Sequence, residues 1–234
     1  MENSKKLNIV YWSDYACPYC YIGEKRLESV LKDMKIDDMV TLKMKSFELN
    51  PNASSKVESK TDERFAKKYG LSLQGARNKI EHISKLGRDE GIDFKYADTL
   101  YSNMLDAHRL TKLAESKGKD VDKVIYLLFD AYFTKNLVLS DRSVLISIGK
   151  EVGLEEKEIT EMLDSDQFKD KVRKDESEAY MMGIHGVPFF VINDKYSIYG
   201  CPDKNDIKES LMSALDDELA KSGSGMMCGP DGCH

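Results

Sequence analysis

No apolar run in this 234-residue sequence approaches the roughly 20 residues needed to cross a bilayer; the longest, Val124 to Phe129, has six. The apolar stretch after the polar segment Met1 to Lys6 is broken by Ser13 and Asp14, so it makes no signal-peptide h-region, and the expected location is cytoplasmic. A basic surplus is also lacking. Lys plus Arg number 35 against 41 Asp plus Glu, a formal net charge of −6, which disfavours a general nucleic-acid binder. Repeats and low-complexity segments are missing as well. What is present, 41% hydrophobic and 32% charged residues, is the balance of a folded globular chain of one or two domains. The five cysteines stand at 17, 20, 201, 228 and 233. In a reducing compartment such a set points to catalysis, redox sensing or metal binding rather than to a structural disulfide framework.

Leu7 to Trp12 reads as a strand, and Val40, Leu42, Met44 and Ser46 alternate with polar residues as a second. Between them Ile22, Leu27, Val30, Leu31 and Met34 recur at helical spacing, so the segment predicts a βαβ unit with parallel strands. A polar stretch, 52–60, precedes a region that reads almost entirely as helix. Ser72 caps one helix and Asp98 another running through Tyr101, Met104, Leu105 and His108; Val121 to Tyr132 is apolar on most sides, as the central helix of a bundle is. After a charged helix from Asp166, Val187 to Ile192 and Tyr196 to Tyr199 form a hairpin, and Asn205 or Asp206 leads a last amphipathic helix. The expected class is α/β: a thioredoxin-like fold with an inserted all-α domain. Its halves are 1–52 and 165–221, the insertion is 53–164, and 222–234 reads as a flexible cysteine-containing tail.

The chemistry centres on Cys17-Pro18-Tyr19-Cys20, where the first strand gives way to the first helix. A cysteine at a helix N-terminus meets unsatisfied N–H groups and the positive end of the macrodipole, so the thiol of Cys17 is expected to be acidified and nucleophilic. Cys20, within the first turn, is placed to resolve a mixed disulfide, and Pro18 suits the helix start. Half a zinc site has the same spelling, yet no nearby Cys or His supplies the other ligands. Pro188 opens the strand after the last crossover. In a thioredoxin-type sheet that proline is usually cis and faces the cysteine pair, exposing the Val187 backbone to an extended substrate; an ordinary trans proline at a strand start is the alternative. Tyr19, Val187 and His185 are the candidate substrate contacts.

Three separated motifs, Asp14-x-x-Cys17-Pro18-Tyr19-Cys20-Tyr21-Ile22-Gly23, Asp106-Ala107-His108-Arg109-Leu110 and Gly186-Val187-Pro188-Phe189-Phe190-Val191, resemble the FrnE-like branch of the DsbA family over nearly the whole chain to about residue 221. The resemblance implies thiol–disulfide oxidoreductase activity, with Cys17 and Cys20 as the redox pair and Pro188 as the cis-proline. His108 and Arg109 match a motif of the inserted domain. The sequence is similar as well to 2-hydroxychromene-2-carboxylate isomerase and kappa-class glutathione transferase, which typically carry serine at the position of Cys17 and use bound glutathione. Both cysteines being present favours disulfide exchange. His185, and Cys201 between Gly200 and Pro202, depart from the family pattern.

Protonated His185 is expected to stabilise the Cys17 thiolate, against the alternative of a solvated loop histidine. His82 reads as a surface residue and His108 as a satisfied core or interdomain histidine. Trp12 reads as packing, and the charge run Lys169 to Glu178 as a solvated helix face. The tail cysteines have three readings: Cys228 and Cys233 as a second, mobile redox pair; a soft-metal site with His234; or a tail without a role. Spanning 13 residues, that tail reaches roughly 40 Å, enough to return over the cysteine pair, and Cys201 is expected on the same rim. The expected activity is therefore exchange of protein or small-molecule thiols and disulfides, with glutathione as a redox partner and no metal or organic cofactor. No nucleic-acid or membrane partner is expected, and the direction of electron flow and the oligomeric state stay open.

Overall fold

The computed structural model describes residues 7–57 and 59–223, with side chains through 220. Strand β1 (Leu7–Ser13) and strand β2 (Val40–Ser46) pair in parallel, Leu7 beside Val40 and Ser13 beside Ser46, across the crossover helix α1 (Pro18–Met34). β3 (Phe189–Ile192) lies antiparallel against the other side of β1, and β4 (Tyr196–Tyr199) pairs antiparallel with β3, giving the sheet order β2-β1-β3-β4. The hairpin turn places Asn193 and Asp194 at positive φ, the residue types that tolerate the left-handed region best. β1 is thus a central strand, and it ends where α1 begins. That is the position at which a βα connection presents side chains and helix N–H groups outside the sheet.

Between β2 and β3 the described residues form seven α-helices: α2 (Thr61–Tyr69), α3 (Leu73–Asp89), α4 (Leu105–Ser116), α5 (Val121–Phe133), α6 (Arg142–Glu151), α7 (Glu156–Leu163) and α8 (Lys169–Met181); α9 (Lys204–Gly223) follows the hairpin. The central helix is α5, whose Val124, Leu128, Phe129 and Phe133 are fully buried. Its rings join the helical block to the sheet layer. Tyr21 of α1 stacks on Phe129 at 4.9 Å, and Phe133 stacks on Phe94 at 4.7 Å. Such pairs add about 0.5–1.5 kcal/mol each beyond the area they bury. A second, smaller cluster of Trp12, Phe47, Ala179, Ile184 and Val191 packs α8 against the opposite face of the sheet.

Ser72 caps α3 as its sequence predicts, accepting from the Gly75 N–H at 3.0 Å. Three expectations are corrected. Asp98 does not start a helix: it pairs with Lys60, Leu100 bridges to Lys60 as a strand would, and α4 begins only at Leu105, whose N–H is taken by Asn103 Oδ1. α9 is led by Asp203, which accepts from the N–H groups of Asn205 and Asp206. The charge run Lys169 to Glu178 is solvated on one side only. Lys171, Lys174 and Ser177 face water, whereas Glu176 is buried and Asp175 pairs at 2.6 Å with Lys112 of α4, itself buried. Helical spacing turns the same charged run toward water and toward the core in alternation, and the partners that accept it come from distant segments.

Candidate active site

Cys17 is the N-cap of α1 and Pro18 its first residue. The cap has extended backbone, its side chain makes no capping bond, and its N–H donates to the Asp14 carbonyl at 3.0 Å. Cys17 is only 4% exposed, and its sulfur stands at the helix N-terminus, where backbone donors favour negative charge. The Val187–Pro188 peptide bond is cis, and the Cys17 thiol donates to the Val187 carbonyl oxygen at 3.5 Å. α1 packs directly against this proline: a Cβ at Gly23 would meet Pro188 Cγ at 3.4 Å, an ordinary van der Waals contact. The Asp14 carboxylate holds the loop in place, accepting from the N–H of Ala16 at 3.0 Å and of Leu49 at 2.7 Å.

Cys20 lies beneath, fully buried. Burial pushes its thiol well up, and the neighbouring Cys17 sulfur adds to this; the Asp14 N–H and the Ser13 hydroxyl oppose it. The two thiols are thus unequal by position, one at a groove wall and one sealed in the core. The groove, about 980 Å³, is lined on the cysteine side by Cys17, Pro18, Tyr19 and Val187. Across it stand Lys56, Arg64, Lys67 and Lys68, none of which has a carboxylate partner among the described residues. The Arg64 guanidinium sits 3.6 Å over the Tyr101 ring, with Nη1 buried and without a hydrogen-bond partner among the described residues. In a chain of net charge −6, this makes a locally positive wall facing the thiol.

The other sequence candidates divide. Tyr19 is 38% exposed and lines the groove, and burial against it raises its phenol. Cys201 is partly buried and, like His185, is not among the residues lining the groove; burial raises its thiol while Arg26 opposes. His185 is exposed, its ring lies 5.9 Å from that of Tyr180, and it is not among the residues lining the groove. His108 is buried as expected, and among the described residues neither ring nitrogen has a hydrogen-bond partner, Asp14 Oδ1 lying 3.7 Å from Nε2 and the Tyr15 ring at 4.8 Å. Arg109, for which sequence supplied no chemistry, is a clamp: it donates to the Gln167 carbonyl at 2.8 Å, to Asp106 at 2.6 Å and to the carbonyls of Met162 and Ser165, tying α4 to the segment between α7 and α8. Cys228, Cys233 and His234 lie outside the described residues. Among the described residues no group of His, Cys, Asp and Glu is arranged to hold a metal ion, and no helix is long and apolar enough to cross a membrane.

Sequence reasoning missed Ser13, Glu24 and the positive wall. Glu24 carried a signal: Cys20, Glu24, Leu27 and Leu31 follow one helix face, so a carboxyl sits on a stripe that is otherwise apolar. The wall carried none, since its cations come from a polar connection and from the outer positions of α2.

A family model described as a DSBA-like thioredoxin domain matches residues 8–212. The chain is similar to a "probable DsbA oxidoreductase" from Streptomyces coelicolor, 28% identical with a TM-score of 0.84, covering 97% of this chain and 98% of that one. It is similar in fold to a 2-hydroxychromene-2-carboxylate isomerase, at 15% identity and a TM-score of 0.64 over 94% of this chain and 100% of that one. It also shares its fold with the cytosolic disulfide reductase DsbM from Pseudomonas aeruginosa, solved with GSH, at 12% identity and a TM-score of 0.57 over 94% and 98% of the two chains. With a cysteine pair at the head of α1, a cis-proline strand beside it and a family match across the sheet and its helical insertion, the chain belongs to the DsbA-like thioredoxin domain family.

Proposed function

We propose that this protein is a thiol–disulfide oxidoreductase in which Cys17 attacks and Cys20 resolves. The observation that carries this reading is the Cys17 thiol itself: at the N-cap of α1, on the wall of a groove, and 3.5 Å from the Val187 carbonyl. A substrate strand lying along Val187 brings its disulfide to that sulfur. Cys17 thiolate attacks one substrate sulfur, and the other leaves with the electron pair. Cys20 thiolate then attacks Cys17, forming the Cys17–Cys20 disulfide and releasing the second substrate thiolate. The reverse sequence oxidises a substrate dithiol.

The four cations of the groove favour substrates whose thiol or disulfide stands beside carboxylates, since a cleft of one sign concentrates ligands of the other. Glutathione disulfide and acidic peptides have that chemistry. Exchange rates are expected to fall from glutathione disulfide to neutral hydroxyethyl disulfide to cationic cystamine, and the order is expected to flatten at high salt. The test of function is equilibration in glutathione buffers followed by alkylation and peptide mass mapping of all the cysteines. A Cys17–Cys20 couple titrating as one two-electron unit, lost in Cys17→Ser, is the expected result; it also reads whether Cys228 and Cys233 titrate with the pair. A glutathione-dependent isomerase or transferase is the second reading, favoured by the same positive wall. It requires saturable glutathione binding and an activity that survives Cys20→Ser.

A further inference from the structure

The turn that presents Cys17 is held from the helical block. His108 and Thr111 stand three residues apart on α4 and share a face of that helix. The Tyr15 hydroxyl meets Thr111 Oγ1 at 2.5 Å, and His108 Nε2 lies 3.7 Å from Asp14 Oδ1, both side chains of that pair being buried. Both oxygens of the Asp14 carboxylate serve the site. Oδ1 accepts from the N–H of Ala16, the residue before Cys17, and Oδ2 from the N–H of Leu49, on the wall of the groove. The Asp14 carbonyl accepts the Cys17 N–H itself. What holds Asp14 therefore sets where Cys17 stands.

Asp14 is one of four carboxylates gathered around the end of β2. Asp175 accepts from the Ser46 N–H at 2.9 Å and Glu176 from the Glu48 N–H at 3.1 Å, so both flank the same segment, 46–49, that Asp14 holds at Leu49. The fourth is Glu48, itself buried. Two cations pair with them: Lys112 of α4 with Asp175, and Arg173 of α8 with both Glu48 and Glu176 at 2.6 Å. The neighbouring arginines are engaged elsewhere, Arg64 over the Tyr101 ring and Arg109 on Asp106 and the Gln167 carbonyl. Burial raises the Glu48 carboxyl, with His108 and Arg173 opposing. The surplus is two negative charges, or one where Glu48 holds a proton, in surroundings where an uncompensated charge is costly. The start of α4 offsets about half a charge of this. The basic side chain left facing Asp14 is His108, whose ring nitrogens have no hydrogen-bond partner among the described residues.

We propose that His108 is a positioning residue for the exchange reaction: it stands beneath the active-site turn as an imidazolium, the counter-charge of Asp14, and so fixes the turn from which Cys17 attacks. This rests on the oxidoreductase reading above. An imidazolium carries an N–H on each ring nitrogen and no acceptor, so it adds donors beside Asp14 without competing for the backbone N–H groups that the carboxylate holds. The same cation offsets the negative potential that a lone carboxylate would place near the Cys17 thiolate. His108 acts through Asp14 and not on the substrate. By this account the helical insertion takes part in the chemistry of the sheet, through one side chain of α4.

The experiment alkylates the reduced full chain at neutral pH with iodoacetamide, an uncharged reagent that the cations of the groove do not attract, and reads Cys17 by peptide mass. Four chains are compared: the unaltered one, His108→Gln, Asp14→Asn and the double variant. Glutamine keeps a donor and loses the charge. His108→Gln is expected to slow alkylation of Cys17 at least about threefold, a coupling usual for groups in contact. In the Asp14→Asn background, where no carboxylate needs the cation, the same change is expected to have no effect. Equal slowing in both backgrounds, or none in either, overturns the proposal, because a histidine that only fills space acts alike with and without the carboxylate. A second measurement needs no variant. In the unaltered chain with isotope-labelled histidine, both His108 ring nitrogens are expected to show the chemical shifts of protonated nitrogen at neutral pH. One protonated and one bare nitrogen would overturn the counter-charge. Failure of Cys17 and Cys20 to form a couple in glutathione buffers would strike the oxidoreductase reading, and the positioning role with it, whatever the coupling between His108 and Asp14.

Discussion

The Cys17 thiol donates to the Val187 carbonyl at 3.5 Å, joining the start of α1 to the strand that follows the helical block, 170 residues away. Cys17 is at the groove wall and Cys20 is sealed behind it, so the two sulfurs differ in access before they differ in chemistry. Alkylation of the reduced protein with iodoacetamide is expected to label Cys17 well ahead of Cys20, as read by peptide mass. In Cys20→Ser a small disulfide is expected to accumulate as an adduct on Cys17. Labelling of Cys20 first would contradict the assignment of attacking and resolving thiols.

Arg109 holds three main-chain carbonyls and Asp106 from a side chain that is 5% exposed. Lysine has the charge but not the planar fork, so it leaves carbonyls unpaired. Each buried group left so costs about 1–3 kcal/mol, and Arg109→Lys is expected to lose at least about 2 kcal/mol in urea unfolding while the isolated thiol chemistry persists. A loss below about 0.5 kcal/mol would show that the clamp is dispensable.

Asp175 and Lys112 form a pair with side chains only 14% and 6% exposed, and the Asp175 carboxylate also accepts from the Ser46 N–H at 2.9 Å. Asp175→Asn leaves the lysine uncompensated and is expected to cost about 3–5 kcal/mol. Lys174→Ala, one residue before it in the same charge run but facing water, is expected to stay within about 0.5 kcal/mol. Equal effects in denaturant titrations would mean that the run is solvated throughout.

Glu24 gives stability a pH dependence of defined sign. Its carboxyl is raised from the ordinary 4.5 to about 8 in the folded chain, so between these values the native state binds more protons than the unfolded state. Its contribution is fully present below about pH 4.5 and is lost as pH rises through about 8. Glu24→Gln removes this term. The variant is expected to match the unaltered chain near pH 4.5 and to exceed it in stability at pH 9, as measured by thermal unfolding at both. A variant less stable at pH 9 than at pH 4.5, relative to the unaltered chain, would reverse the sign.

Gly87 of α3 faces Phe94, whose Cγ lies 2.6 Å from where a Cβ would stand. Gly87→Ala is expected to cost about 1–3 kcal/mol by displacing the Phe94–Phe133 stack, visible as a lower urea midpoint. An unchanged midpoint would show that the ring can move at no cost.

The letters by themselves determined most of the elements and the place of the Cys17–Cys20 pair, because these depend on local periodicity and on short spacings. Alternation marked β1, β2 and the hairpin, helical recurrence marked α1 and α5, and Cys17 with Cys20 could be set at a helix start from the strand before it and the proline between. Tertiary structure alone decided which polar groups meet. His108 was expected to be satisfied, and whether a buried histidine finds a partner depends on Asp14 and Tyr15, nearly a hundred residues earlier. The charge run of α8 could not be sorted into wet and buried sides without knowing that Lys112 and Ser46 wait beneath it. His185 was expected to face the cysteines from its distance in sequence to Pro188, but the direction of a loop side chain is set by its neighbours, here Tyr180. Glu24 is the clearest case. Its place on the apolar stripe was legible, yet its hydrogen bond depends on a serine at the end of another element, Ser13 of β1.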